Sequence, residues 1–478
     1  TVGLLLLSPL AHRTVPPYGA PPMSSWTTRI MLLPTSVMAM IAVALILNLA
    51  LLSLYYFPAP KTLVGDEAYY YKIASILAAG LPAEHSLIWP PLYANLMGVL
   101  FALSGTTHRL VIQGVQIGLW LASALLWYRI VEQLLPSRVV ASTVLALLLF
   151  SPNLMAFSHF LWPETLHLFF MTFTLWLVVR APVSRSALFG AGVSCGLALL
   201  TKLLLLPFVL LFSVAFLVLK TDLPWRQRVI VLGLFGLALS AIVLPTTLSN
   251  WRTHGQFVIA DSSTFNLWVG LTDVALSDED HGRMGKEMEQ FLQAGTDWQS
   301  RNDVYQKKIV ALVQHEGVWT TLTRQFSKQY FRLFHYQSFF TTQLPGGTRP
   351  AYQLSEGLLT QVIRLYSYGF QAVVLATSVL GLCFLRWQPW SWPHGFALFI
   401  AYNLGLFLFL HVKTRYVIQF LPMLIFFSGV AVYGFARRRE PSALVLTSVA
   451  VTRTRILLGA VLVVLIELVA FHEVLVSP

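Results

Sequence analysis

The sequence predicts an all-α polytopic membrane protein, a bundle of about eleven transmembrane helices with interfacial helices in the first outer loop and a second, larger outer loop. Three observations predict it. Of 478 residues, 56% are hydrophobic and 11% charged, where a soluble domain carries about 25% charged residues to coat its surface. The mean hydropathy is +0.68. Apolar runs near the ~20 residues needed to cross a bilayer recur from one end of the chain to the other.

The chain opens on Thr1, and residues 1–31 read as a leader, disordered or mis-started, with Met23 as an alternative start. Pro9, Pro16, Pro17, Pro21 and Pro22 interrupt any signal-peptide core. Candidate spans then follow at 32–57, 109–129, 139–157, 162–179, 186–200, 203–219, 229–249, 361–385, 394–411, 416–435 and 455–471. Residues 32–249 thus form an N-terminal transmembrane module that includes the first outer loop, 58–108. An extracytoplasmic loop fills 250–360, and 361–478 holds the C-terminal transmembrane helices. The stretch 91–104 is short for a span and begins at the Pro90-Pro91 pair, so it is expected to lie at, or dip into, the outer interface.

Orientation comes from the basic residues. Arg129, Arg138, Arg180, Arg185, Lys220, Arg226, Arg228, Arg386, Arg437, Arg438, Arg439, Arg453 and Arg455 fall in alternate short loops if the N-terminus is inside, which puts 58–108 and 250–360 outside. The formal net charge of +12 is accounted for by such loops and the anionic headgroups they meet, not by nucleic acid. The two cysteines, Cys195 and Cys383, lie in apolar runs and form no disulfide framework. The long loop carries Asp273, Asp278, Glu279, Asp280, Glu287 and Glu289. An amphipathic stretch with Val304, Ile309, Leu312 and Val313 follows, as in a small lid or platform above the membrane.

The residues able to carry chemistry gather on the predicted outer side. Asp66 and Glu67 stand beside Tyr69, Tyr70 and Tyr71 just past the first span. A carboxylate at a partly desolvated interface can take a proton from an attacking hydroxyl or amine, although an acidic pair also suits an ordinary helix start. Glu164, after Trp162-Pro163, is likewise an ordinary helix start on its own, yet a carboxylate facing a bundle interior is costly unless paired or used. Lys202, Arg252, His411, Lys413, Arg415 and Tyr416 add cations and polar groups on the same side. Each alone is explained by snorkelling; together they suit a phosphate leaving group, on which negative charge develops. The twelve histidines show no metal-ligand spacing, so no cofactor is expected, a metal requirement being left open, and no Gly-rich loop after a strand supports a nucleotide-binding domain.

The order of several pieces resembles the GT-C membrane glycosyltransferases, in the group that includes protein O-mannosyltransferases and the lipid A aminoarabinose transferase. The pieces are Gly65-Asp66-Glu67-Ala68-Tyr69-Tyr70, Trp89-Pro90-Pro91-Leu92-Tyr93, Pro163-Glu164-Thr165-Leu166, Thr201-Lys202 with Pro207, Asn250-Trp251-Arg252 with Gly255-Gln256-Phe257, and Arg415-Tyr416 with Pro422. The resemblance implies a GT-C-type bundle and a sugar transferase of the plasma (bacterial inner) membrane, its active site facing outside. It implies a polyprenyl-phosphate-sugar donor among the membrane lipids, and a lipid, glycan or protein acceptor. It implies Asp66 as the base that activates the acceptor, Glu67 nearby, Glu164 as a second acid, and Lys202 and Arg415 on the carrier phosphate. The alternatives are a lipid-linked-saccharide transporter or flippase, and a polysaccharide polymerase or ligase of similar architecture.

Overall fold

The computed structural model describes residues 33–53, 63, 66–83, 87–135, 137–180, 184–220, 223–272, 281–295, 297–326, 333–335, 358–386, 391–437 and 449–471. The predicted leader and the acidic run Asp273 to Asp280 lie outside them. Among the described residues the chain is helical, and the only strand-like pairing is an isolated bridge between Leu385 and Val449.

The helices are α1 Thr35–Leu51, α2 Asp66–Ala78, α3 Leu92–Ser104, α4 Arg109–Leu134, α5 Arg138–Leu149, α6 Pro152–Phe157, α7 Glu164–Arg180, α8 Arg185–Thr201 and α9 Leu206–Leu219. They continue as α10 Trp225–His254, α11 Ser263–Thr272, α12 His281–Gln293, α13 Trp298–Glu316, α14 Val318–Arg324, α15 Leu358–Cys383, α16 Trp392–Leu406, α17 Leu421–Arg437 and α18 Arg453–Ala470. Every predicted span coincides with one or two of these. Arg109–Leu134, Trp225–His254 and Gln361–Cys383 are long and apolar enough to cross a membrane by themselves. Others are shorter than their apolar runs: α1 and α7 have 17 residues, about 26 Å of helix.

The shortening has local causes. The run 139–157 breaks at Ser151, whose hydroxyl accepts from the Leu154 amide and starts a new buried helix with Pro152 in its first turn. The run 416–435 begins as a 3-10 segment, Thr414–Gln419, before α17. Elsewhere the ends fall where capping chemistry puts them. Ser137 caps α5 and Ser184 caps α8, and Gly255, at φ 68°, closes α10 in the left-handed conformation.

The core sits among α4, α5, α7, α8, α15 and α17, filled by Trp120, Trp127, Tyr128, Leu145, Phe157, Leu199, Phe426 and Phe427. Outward faces stay apolar, as lipid requires: Leu210, Val214, Val218, Leu237, Leu457 and Val464 are all exposed. Close helix contacts use glycine. A Cβ at Gly192 of α8 would stand 2.8 Å from the Cβ of Ala238 in α10, and one at Gly196 would stand 2.8 Å from that of Ile242.

The short helices α2 and α3 pair with each other beside α4 through Tyr70, Ile73, Ala74, Tyr93, Met97 and Phe101. Leu87 and Ile88 of the first loop pack with Phe265, Val269, Phe291, Trp298 and Tyr305 of the long loop. The amphipathic stretch predicted there is α13, and it leans on α11.

Candidate active site

Asp66 begins α2, Glu164 begins α7, Lys202 ends α8, and Arg415 lies in the 3-10 segment before α17. These four meet. The Arg415 Nη2 donates to Asp66 Oδ2 at 2.9 Å, and Lys202 Nζ donates to Glu164 Oε1 at 3.0 Å. Arg415 Nε lies 3.9 Å from the same Glu164 oxygen, which joins the two pairs into one alternating chain of charge. The side chain of Glu164 is 3% exposed and that of Asp66 31% exposed. Asp66 is therefore the carboxylate that an outside molecule can reach.

Local structure explains each placement. Lys202 adopts extended backbone at the end of α8 (φ −150°, ψ 125°), where its amide closes on the Ala198 carbonyl at 2.9 Å. His167 Nδ1 sits 3.0 Å from that same carbonyl. Glu164 follows the buried segment Ser158–Pro163, which two glutamines of α4 hold in place. Gln113 Nε2 donates to the His159 carbonyl at 2.9 Å, and Gln116 Nε2 donates to those of Ser158 and Phe160 at 3.1 and 2.7 Å. The Tyr93 hydroxyl donates to Gln116 Oε1 at 2.8 Å, linking α3 to the same segment.

Aromatic rings frame the cations. The Arg415 guanidinium lies 4.7 Å from the Trp162 ring centroid and 5.5 Å from that of Tyr416, and Lys202 Nζ lies 5.7 Å from the Tyr416 ring. Tyr416 stacks on Phe407 with centroids 5.3 Å apart, and its hydroxyl is 2.7 Å from His411 Nε2.

Burial works against ionisation of Asp66, but Arg415 beside it, with Lys413 and Lys202 behind, holds its carboxyl below the usual value of 3.8. Burial, then the charges of Lys413 and Arg415, push His411 well below the ordinary histidine value of 6.5, against the pull of Asp66. At neutral pH the site therefore holds an ionised Asp66 and a neutral His411.

Of the residues expected to act, Asp66, Glu164, Lys202, His411, Lys413, Arg415 and Tyr416 come together. Glu67 has a different place from the one expected. It is fully buried, and its Oε1 accepts the Leu161 amide at 2.7 Å, so it ties α2 to the segment before Glu164. Tyr69 stacks on Trp89 at 4.2 Å and lines the first loop. Arg252 is exposed on the last turn of α10 and makes no hydrogen bond or ion pair with the group. Sequence reasoning missed Gln113, Gln116, Tyr93, Trp162 and His167. The signal available was two glutamines at i, i+3 in an otherwise apolar span, where amides need partners. Among the described residues, no group of three His, Cys, Asp or Glu side chains is placed to hold a metal ion.

A many-helix integral membrane protein with acids and cations gathered at one end of its bundle is the class that this fold and site define. Residues 89–247 match the family described as dolichyl-phosphate-mannose-protein mannosyltransferase, and over that stretch the resemblance to the GT-C membrane glycosyltransferases is borne out. Among solved structures the chain is similar to the Archaeoglobus fulgidus oligosaccharyltransferase tethered to an acceptor peptide. Identity is 14% and TM-score 0.47, over 91% of this chain and 54% of that one. The chain thus spans about half the length of that relative. It is also similar to ArnT from Cupriavidus metallidurans bound to undecaprenyl phosphate, with 15% identity and TM-score 0.38 over 83% of this chain and 77% of that one. No curated protein matches the sequence.

Proposed function

We propose that the chain transfers a sugar from a polyprenyl-phosphate donor to an acceptor hydroxyl or amine at the extracytoplasmic face, with Asp66 as general base. The observation that carries this reading is the alternating array Asp66, Arg415, Glu164, Lys202, closed by contacts of 2.9, 3.9 and 3.0 Å. The family matched over 89–247 is described as dolichyl-phosphate-mannose-protein mannosyltransferase, and the positive-inside pattern supports an outside position for this end of the bundle.

In the proposed step, the acceptor oxygen or nitrogen forms a bond to the anomeric carbon as the bond from that carbon to the phosphate oxygen breaks. The departing phosphate keeps the electron pair, and Asp66 takes the acceptor proton. Arg415 and Lys202 offset the charge that grows on the phosphate. Arg415 has a double role. Before the donor enters it neutralises Asp66; once a phosphate competes for the guanidinium, Asp66 is released and becomes the stronger base. Glu164 stays buried between the two cations and keeps them spaced.

The test uses the full chain in lipid vesicles with a polyprenyl-phosphate sugar labelled in the sugar and a membrane extract as acceptor source. Asp66→Asn should retain undecaprenyl phosphate binding and lose about 10²- to 10⁴-fold in transfer. Transfer at the wild-type rate would refute the base assignment. Transport of labelled donor across the vesicle without covalent transfer would favour a flippase instead.

A further inference from the structure

Asp66 and Arg415 are 349 positions apart, yet they meet at 2.9 Å. One helix of the long loop, α11, touches the supports of both. Near its start, the Asp261 amide donates to the Leu87 carbonyl at 2.6 Å. The Asp261 carboxylate is locked in turn by Trp298 Nε1 and Asn302 Nδ2, each at 2.8 Å. Phe265 and Val269 of α11 pack on Leu87 and Ile88, with Trp89 against the same cluster. Trp89 stacks on Tyr69, three positions from Asp66.

At its other end α11 meets the stretch that leads to Arg415. Gly270 lies so close that a Cβ there would stand 2.6 Å from the Phe409 oxygen and 2.7 Å from both the Leu410 carbonyl carbon and the His411 nitrogen. Gln325, just past α14, donates from Nε2 to the Leu410 carbonyl at 2.7 Å. Arg324 donates from Nη2 to the Leu271 carbonyl at 2.6 Å while its Nη1 pairs with Glu316 at 2.8 Å. At 10 residues, α11 is a rod about 15 Å long that touches the supports of both halves of the site.

We infer that α11 is a strut that sets the separation of Asp66 and Arg415, with Gly270 and Gln325 as positioning residues for the transfer. The Gly270 contact is backbone against backbone, so no side chain can yield to an added methyl group; α11 and the stretch carrying His411, Lys413, Arg415 and Tyr416 have to move apart instead. An outward shift of about 1 Å takes a 2.9 Å charged hydrogen bond beyond its effective range. The inference rests on the proposed roles of Asp66 and Arg415, and its test separates the two.

The titration of Asp66 is read by infrared difference spectra of the full chain in nanodiscs, wild type minus Asp66→Asn. The groups facing Asp66 are Arg415 and Tyr416 from the 3-10 segment, Lys413 and His411 just before it, Lys202 from α8 and Tyr70 on its own helix, with Glu164 of α7 across Arg415. Gly270→Ala should raise the Asp66 midpoint by about one pH unit, within the range that losing an adjacent arginine produces. The acid limb of kcat/KM for a polyprenyl-phosphate sugar should move up by the same amount. Gln325→Ala should shift both in the same direction and carries the test if Gly270→Ala does not fold. Gly285→Ala, where a Cβ meets open space, should shift neither. A lower unfolding temperature in the Gly270 and Gln325 variants, with the Asp66 titration unmoved, would overturn the strut. Shifted titrations with wild-type turnover in Asp66→Asn would uphold the strut and remove the base.

Discussion

The Lys202–Glu164 pair yields the sharpest energetic test. Lys202→Met removes the nearer of two cations from a carboxylate that is 3% exposed. At an effective dielectric constant of about 20, a unit charge at 3.0 Å contributes about 5.5 kcal/mol of attraction and one at 3.9 Å about 4.3 kcal/mol. Lys202 therefore supplies slightly more than half of the counter-charge. Its loss leaves Glu164 buried beside a single, more distant partner, at a cost of about 3–5 kcal/mol. Glu164→Gln in the same chain removes the stranded charge, so the double variant should be at least about 2 kcal/mol more stable than the sum of the single changes predicts. Unfolding by SDS titration in a Cys383→Ser background can be followed by dye labelling of Cys195, which is 1% exposed in α8. Additivity within about 0.5 kcal/mol would mean the two side chains are not coupled, and the geometry argued for the array would be wrong.

Two further outcomes follow from the same structure. His411 is held neutral where an unfolded histidine charges, so the unfolded chain binds a proton that the folded chain refuses. Stability should therefore fall as pH drops below about 6.5, and His411→Gln should flatten that slope in SDS titrations at several pH values; Asp66 adds a loss of the same sign only below 3.8. Gln116→Leu strips partners from the Ser158 and Phe160 carbonyls and the Tyr93 hydroxyl, and should cost at least about 1–3 kcal/mol in the same assay, with Gln116→Glu no milder, because a buried carboxylate would face the same two carbonyls without an N–H to donate.

The bundle was legible because hydropathy is a local property: a run such as 186–200 or 455–471 marks its helix within two residues at either end. The run 139–157 misled because hydropathy cannot see that Ser151 will cap a new helix inside an apolar stretch. Asp66, Glu164, Lys202 and Arg415 stood out as charged residues at the ends of spans. Glu67 was read with its neighbour, since nothing near it in sequence announces a bond to Leu161, 94 positions away. Gln113 and Gln116 were passed over for the same reason: their partners are carbonyls more than forty positions distant, and a carbonyl has no signature in a sequence.

The separation of Asp66 from Arg415 has a consequence for how the molecule is made. Synthesis delivers the first-loop acid to the bilayer roughly 20 to 70 seconds before its arginine leaves the ribosome, at about 5–20 residues per second. Glu164 waits far less, because Lys202 follows after 38 positions. The nascent chain therefore closes its deep pair early and its reachable one last, and no truncation product lacking the C-terminal helices holds a finished site.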